Sequence, residues 1–278
     1  MSPIEERLEP YQAQILGIYF VLFVAGCIAL HFHVRERWRK AAAAWPSIVL
    51  RISCRPWTVF DASTIIGLVV VLNLAFVLLM RFGKPPEDFA TLAIGMALMH
   101  GVILSAIFAI LLQKRVRLRS AFGGGSHRFL ADVRTGGIGF LSMIVVVVPA
   151  MIAAGLLLKA LDHPQEPQEI IAFFAKQEGV FKRVYFAVWT VLIAPVAEEM
   201  LFRGILLPLA LRKLSPLVAI LLVSASFALV HQNASAFLPL VAVSASLCLA
   251  YIATESIVVC ITMHALFNAL TTSFILLT

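Results

Sequence analysis

The apolar residues of this chain fall into long runs separated by short polar connections. A helix that crosses a bilayer needs about 20 mostly apolar residues. Eight runs approach that length, at 13–32, 62–81, 91–112, 137–160, 184–211, 216–232, 236–253 and 256–277. The pattern therefore predicts an all-α, polytopic integral membrane protein with about eight transmembrane helices.

Polar side chains within the runs are concentrated towards the end of the chain. Six of them cluster in the last four runs: Glu198, Glu199, Arg203, His231, His264 and Asn268. Such side chains are costly in hydrocarbon and usually face a protein interior, so each is a functional hypothesis. We therefore divide the chain into an N-terminal membrane region of about four spans, 1–160, and a C-terminal core of about four spans, 184–278.

Composition agrees with a membrane protein and narrows its partners. Hydrophobic residues make up 61% of the chain and charged residues 13%, and the mean hydropathy is +0.97. The net charge of +7 arises from short clusters of Lys and Arg beside apolar runs. Such clusters favour anchoring in a lipid bilayer over binding to nucleic acid.

The positions of these basic residues predict an orientation. Connections one, three and five are rich in Lys and Arg, whereas connections two and four are mixed. Because cytoplasmic connections carry the excess of Lys and Arg, the odd-numbered connections should face the cytoplasm and both termini should lie outside. Lys182 and Arg183 oppose this scheme. In a prokaryote, the membrane would be the cell membrane.

The six clustered polar residues have helical spacing. Glu199 and Arg203 are four residues apart, so they share a helix face and can pair. Glu198 is rotated by about 100° from Glu199 and can point into the bundle. His264 and Asn268 are also four residues apart, as are Phe227 and His231. Three polar stripes on three helices can therefore meet in one place.

A carboxylate, two imidazoles and an amide are the groups that water-activating hydrolysis requires. The carboxylate can act as general base and the other groups can stabilise an oxyanion. A structural ion pair between Glu199 and Arg203 is the simpler alternative. The remaining histidines are expected to be packing or loop residues: His31, His33, His100, His127 and His163.

Three segments of the C-terminal core carry a resemblance to a known family. "EEMLFRG" at 198–204, "FALVH" at 227–231 and "HALFN" at 264–268 resemble the three motifs of the CAAX-protease and bacteriocin-processing family. These proteins are intramembrane endopeptidases related to the Ras-converting CAAX endopeptidase. Each motif is weak by itself, whereas the three in order on apolar runs are specific. The resemblance covers about 184–278.

The resemblance implies a role for each residue. Glu198 would activate water with the assistance of His231, and His264 with Asn268 would form the oxyanion site. Glu199 and Arg203 would hold the helix geometry, and Phe227 would pack next to His231. The substrate would be a membrane-associated protein or peptide, lipidated or not.

Metal dependence is left open by the residues alone. Glu198, His231 and His264 could bind Zn²⁺. No H-E-x-x-H pair is present, and the resemblance favours a glutamate-type site without metal or other cofactor.

Two other functions compete with the protease. One is a non-catalytic membrane scaffold or bacteriocin-immunity-type protein, and the other is a transporter or proton-coupled channel, which also uses buried Glu and His. Replacing Glu198 with Gln separates the three, because only a protease loses a cleaved product.

Overall fold

The computed structural model describes residues 11–35, 39, 43–82, 89–124, 128–163 and 179–276. These residues are almost entirely helical, and apart from one isolated bridge between Gly123 and Ser256 they contain no β-structure. Seven of the helices are long and apolar enough to cross a membrane. The protein is therefore an all-α, multi-pass integral membrane protein, as the apolar runs predict.

Ten helices are numbered here in chain order. They are α1 (Gln12–Ala29, continued by a π-helical turn at Leu30–Val34), α2 (Trp45–Ser53), α3 (Val59–Phe82), α4 (Phe89–Lys114), α5 (Leu118–Phe122), α6 (Phe129–Ala160), α7 (Val180–Leu211), α8 (Pro216–Val230), α9 (Phe237–Thr254) and α10 (Ile257–Leu276). The short helices α2 and α5 lie in connections one and three. Hydropathy alone does not reveal them, because they are too short to span a bilayer.

The sixth predicted run forms a shorter helix than the others. Helix α8 has 15 residues, and at about 1.5 Å per residue it is shorter than the hydrocarbon core of a bilayer. His231 follows it directly and closes its C-terminal end. A helix shorter than the hydrocarbon core can end within the membrane, and α8 can in this way deliver a polar side chain to the interior.

Helix α7 is interrupted twice, and each interruption lies beside a proline. The α-helical pieces Val180–Val188, Ala194–Leu201 and Leu207–Leu211 are joined by π-helical turns at Trp189–Ile193 and Phe202–Leu206. Pro195 and Pro208 each follow the end of a π turn, where a missing N–H is most easily accommodated. Each π turn inserts a residue and changes the face that α7 presents to the bundle.

Helix α6 is at the centre of the packing and contacts α1, α9 and α10. Small residues allow these close approaches, as is common between membrane helices. A Cβ atom on Gly136 would meet the side chain of Thr262 in α10, and one on Gly26 would meet the backbone of Leu141 in α6. The N-terminal spans therefore pack directly on the C-terminal core.

The odd-numbered connections meet at one end of the bundle, called here the basic end. Arg51 in connection one pairs with Glu255 in connection seven at 2.6 Å. Arg212 in connection five donates to the Ser53 carbonyl at 2.6 Å, and Lys114 beside connection three pairs with Asp61. The structure thus gathers the Lys- and Arg-rich connections on one side. Most of connections two and four lies outside the described residues.

Candidate active site

Glu199 and Arg203 form an ion pair in the centre of the bundle. Both side chains are completely buried, and Arg203 Nη1 lies 2.8 Å from Glu199 Oε1. Arg203 Nη2 donates to the Ser244 hydroxyl on α9 at 2.7 Å and lies 3.2 Å from the Ser244 carbonyl. The pair predicted from the i,i+4 spacing is present, and it ties α7 to α9.

Phe227 supports this ion pair and two histidines. The Arg203 guanidinium carbon lies 4.8 Å from the Phe227 ring centre, which is within the range of a cation–π interaction. The same ring lies 4.7 Å from the His231 ring and 5.8 Å from the His264 ring. Phe227 therefore packs next to His231, as the sequence predicts, and it also contacts Arg203 and His264.

His264 links the two adjacent glutamates. Its Nδ1 lies 2.8 Å from Glu199 Oε1, and its Nε2 lies 3.8 Å from Glu198 Oε2. Because Glu199 is paired with Arg203, its carboxylate is ionised and accepts a hydrogen bond from Nδ1–H, which fixes the orientation of the ring. Nε2 is thereby aimed at Glu198.

Glu198 points away from the ion pair and into a cavity. Its side chain retains 19% exposure, whereas that of Glu199 has none. The cavity has a volume of about 690 Å³ and is also lined by His231, His264 and Asn268. The four residues predicted to be catalytic are thus brought to one cavity.

His231 and Asn268 are held at the cavity wall by backbone carbonyls. His231 Nδ1 lies 2.7 Å from the Phe227 carbonyl oxygen, which can only accept, so Nδ1 donates and a neutral ring leaves Nε2 as an acceptor. The Asn268 amide donates to the Thr190 carbonyl at 2.9 Å. One N–H of the Asn268 amide remains for a ligand.

One further histidine at this site, His100, is a residue that the sequence predicts to be a packing histidine. His100 lies on α4, in the N-terminal region, and its Nε2 is 3.6 Å from Glu198 Oε1. It is buried and lines the same cavity. The available signal was its position within an apolar run, which marks any ionisable residue as a functional hypothesis.

Three of the side chains that line the cavity are of types that bind metal ions: Glu198, His231 and His264. Within the described ranges, no group of three or more His, Cys, Asp or Glu side chains is arranged to hold a metal ion. His264 uses Nδ1 for Glu199, and His231 uses Nδ1 for a carbonyl. Nε2 of both rings is left for other partners, so zinc binding by Glu198, His231 and His264 stays a prediction.

Residues 180–270 match the model of the Rce1-like family of type II CAAX prenyl endopeptidases. This part of the chain is an Rce1-like domain. Comparisons with curated proteins and with solved structures found no significant match. The family is one of CAAX-type membrane proteases, so the Rce1-like domain gives the protein a protease function in general. All three sequence motifs lie within the matched segment, whereas His100 lies outside it.

Proposed function

We propose that the protein is an intramembrane endopeptidase in which Glu198 activates the attacking water. One observation carries the proposal: the fully buried Glu199–Arg203 pair holds His264 so that its Nε2 faces Glu198 in the wall of the cavity. Two adjacent glutamates thus have different environments. Glu199 is sequestered by Arg203, and Glu198 is left free to exchange a proton.

The proposed reaction uses the groups already in place. Glu198 takes a proton from water, and the hydroxide attacks the carbonyl carbon of the scissile peptide bond. The oxyanion that forms is stabilised by N–H groups of Asn268 and His264, while His231 assists Glu198. Glu198 then passes its proton to the leaving nitrogen as the C–N bond breaks.

This mechanism sets a requirement on His264. Its Nδ1 proton is committed to Glu199, so the ring can donate from Nε2 only when both nitrogens carry a proton.

The cavity walls support a substrate with an apolar part. Large apolar side chains line the cavity away from Glu198: Met96, Met99, Ile103, Met151, Leu158 and Phe186. We propose a membrane-associated protein or peptide as substrate, and the apolar walls are suited to a lipidated one. Five of these six side chains belong to α4 and α6, so the N-terminal region contributes to substrate binding.

The proposed reaction is metal-free and is tested with purified protein in detergent. Wild type, Glu198→Gln and Glu255→Gln are given lipidated peptides and their unlipidated counterparts, with and without a chelator, and products are identified by mass spectrometry. Loss of the general base should reduce cleavage by about 10²- to 10⁴-fold in Glu198→Gln. Glu255→Gln changes a carboxylate at the basic end and should cleave like wild type.

The other outcomes each reject a defined part of the proposal. Equal cleavage by wild type and Glu198→Gln would remove Glu198 as the base. Cleavage that stops with chelator and returns with Zn²⁺ would establish a metalloprotease. The scaffold hypothesis replaces the protease if two results are found together. Wild type cleaves none of the peptides, and cells that carry Glu198→Gln keep the phenotype of cells with the wild-type protein.

We also propose that both termini lie outside and that the cavity opens to the outer side. The cavity is lined by Asn233 and Ser235 of connection six, at the end opposite the basic end. In a background without Cys27 and Cys54, an impermeant maleimide applied to whole cells should label Asn233→Cys and should not label Ser215→Cys. The reverse labelling pattern would invert the orientation.

A further inference from the structure

His100 is the only residue of the N-terminal spans with a described ion-pair contact to Glu198. It lies near the middle of α4, and its ring Nε2 approaches Glu198 Oε1 to 3.6 Å. On the other side of the carboxylate, His264 Nε2 approaches Oε2 to 3.8 Å. Glu198 is therefore held between two imidazoles, and one of them comes from outside the segment that matches the protease family.

The partners of Nδ1 indicate which nitrogen of His100 carries the proton. The Trp189 indole N–H donates to Nδ1 at 3.1 Å, and an indole N–H can only donate. When Nδ1 accepts from Trp189, the proton of a neutral ring lies on Nε2, the nitrogen that faces Glu198. A proton on Nδ1 alone would leave the Trp189 N–H without this acceptor and would turn an Nε2 lone pair towards the carboxylate.

A second contact at Nδ1 favours a proton on that nitrogen as well. The Met96 carbonyl oxygen lies 2.9 Å from Nδ1. That carbonyl already accepts the backbone N–H four residues later within α4, so it does not depend on the imidazole. If the ring carries two protons, Nδ1 donates to Met96 and Nε2 still donates towards Glu198.

An aromatic pair fixes α4 against α7 at this point. The Tyr185 ring stacks on the Trp189 ring at 5.5 Å with an interplanar angle of 18°. The Tyr185 hydroxyl donates to the Ala93 carbonyl of α4 at 2.9 Å. Trp189 begins the π turn that precedes the Glu198 segment, so these contacts set the position of α4 relative to the catalytic helix.

We infer that His100 is a positioning residue for Glu198, supplied by the N-terminal spans and oriented by Trp189. Its ring Nε2 faces the carboxylate oxygen Oε1 of Glu198 and can donate to it. The distance of 3.6 Å is just longer than a hydrogen bond, as is common before substrate binds, and it should shorten in the complex. The kinetic part of this inference rests on the proposed function.

Matched variants separate positioning from packing. His100→Phe keeps an aromatic ring in the cavity wall and removes the donor, whereas His100→Gln shortens the ring to an amide that still donates an N–H. Positioning predicts that kcat falls about 10- to 100-fold in His100→Phe, the size expected for one lost hydrogen bond to a charged group. KM should be nearly unchanged, and His100→Gln should recover part of kcat. A packing role predicts the opposite order of the two variants.

Trp189→Phe tests how His100 is oriented. This change keeps an aromatic ring on Tyr185 and removes only the indole donor. It should lower kcat in the wild-type background and have little further effect on His100→Phe, because both changes interrupt one chain of contacts. Independent, multiplicative effects of the two substitutions would show that Trp189 does not act through His100.

A spectroscopic measurement tests the same contact without catalysis. In ¹⁵N-histidine-labelled protein, the signals of His100 are identified by their loss in His100→Phe. Replacing Glu198 with Gln should shift the His100 Nε2 signal and leave that of His31, on α1, unchanged. An unshifted His100 signal overturns the inference whatever the activity.

The outcomes distinguish the inference from the proposed function. If wild type cleaves and Glu198→Gln does not, but His100→Phe retains the kcat of wild type, the endopeptidase stands and the positioning role is rejected. If wild type cleaves no peptide but the His100 signal responds to Glu198→Gln, the contact stands and the proposed function fails.

Discussion

Two ion pairs of nearly equal length lie in opposite environments of this protein. Arg51 and Glu255 meet at 2.6 Å at the basic end, where their side chains are 54% and 28% exposed. Arg203 and Glu199 meet at 2.8 Å in the bundle interior, where neither side chain is exposed. The distance is almost the same, and the surroundings make the consequences different.

At the basic end, water and salt weaken the attraction between Arg51 and Glu255, and each side chain can be solvated without the other. In the interior, neither charge can be left without the other, because an unpaired buried charge is strongly unfavourable. The interior pair is therefore a requirement for assembling the site around Glu198. The exposed pair joins connections one and seven, and the assembly of the site does not require it.

The largest effect is expected from Arg203→Ala. This change leaves Glu199 buried without its counter-charge, and breaking a buried pair in this way costs about 3–5 kcal/mol of unfolding free energy. Unfolding in detergent, followed by circular dichroism, should show a large loss of stability, and cleavage should be lost as well. Stability equal to wild type would show that water reaches Glu199.

A double variant sharpens this experiment. Glu199→Gln together with Arg203→Met removes both charges, so much of the lost stability should return. The Gln carbonyl can still accept from His264 Nδ1, but this bond is weaker than one to a carboxylate, so the ring is held less firmly. The double variant should therefore be stable and poorly active.

A smaller effect is expected from Ser244→Ala. It removes one hydrogen bond to the buried Arg203 guanidinium, which should cost about 1.5–3 kcal/mol. Ser246→Ala is the matched control, because the Ser246 hydroxyl donates to the Ala242 carbonyl of its own helix at 2.8 Å. Equal losses in the two variants would mean that the bond between helices contributes nothing specific.

The smallest effect is expected from Arg51→Ala. The exposed guanidinium is solvated with or without Glu255, so the Tm in detergent should not change measurably, and cleavage should be retained. A drop comparable to that of Arg203→Ala would show that the basic end is as sensitive as the interior, and the contrast between the two pairs would be lost.

Most of the fold follows from the apolar pattern. The runs predict the long helices to within four residues at each end, because hydrocarbon requires a continuous apolar helix about 20 residues long. The exception is α6, which begins at Phe129, eight residues before its run. The prediction is less accurate where the end or the regularity of a helix depends on something other than hydropathy. Helix α8 is shorter than its run because His231 ends it, and the π turns of α7 depend on local hydrogen bonding beside Pro195 and Pro208.

The site was predictable where its residues are close in sequence. The pairing of Glu199 with Arg203 follows from helix periodicity alone, and so does the different direction of Glu198. The catalytic roles of Glu198, His231, His264 and Asn268 remain predictions, although all four line one cavity. The contact between His100 and Glu198 was not predictable, since 98 positions separate residues 100 and 198.

By itself, the sequence determined the membrane class, the helices, the charged pair and the protease motifs, because these depend on hydrophobicity and on spacing within one helix. Only the tertiary structure decided which histidines meet Glu198, that Ser244 holds Arg203, and that α4 completes the cavity. Those contacts join distant helices, and their formation depends on the crossing of α4, α7, α9 and α10, which no local pattern encodes.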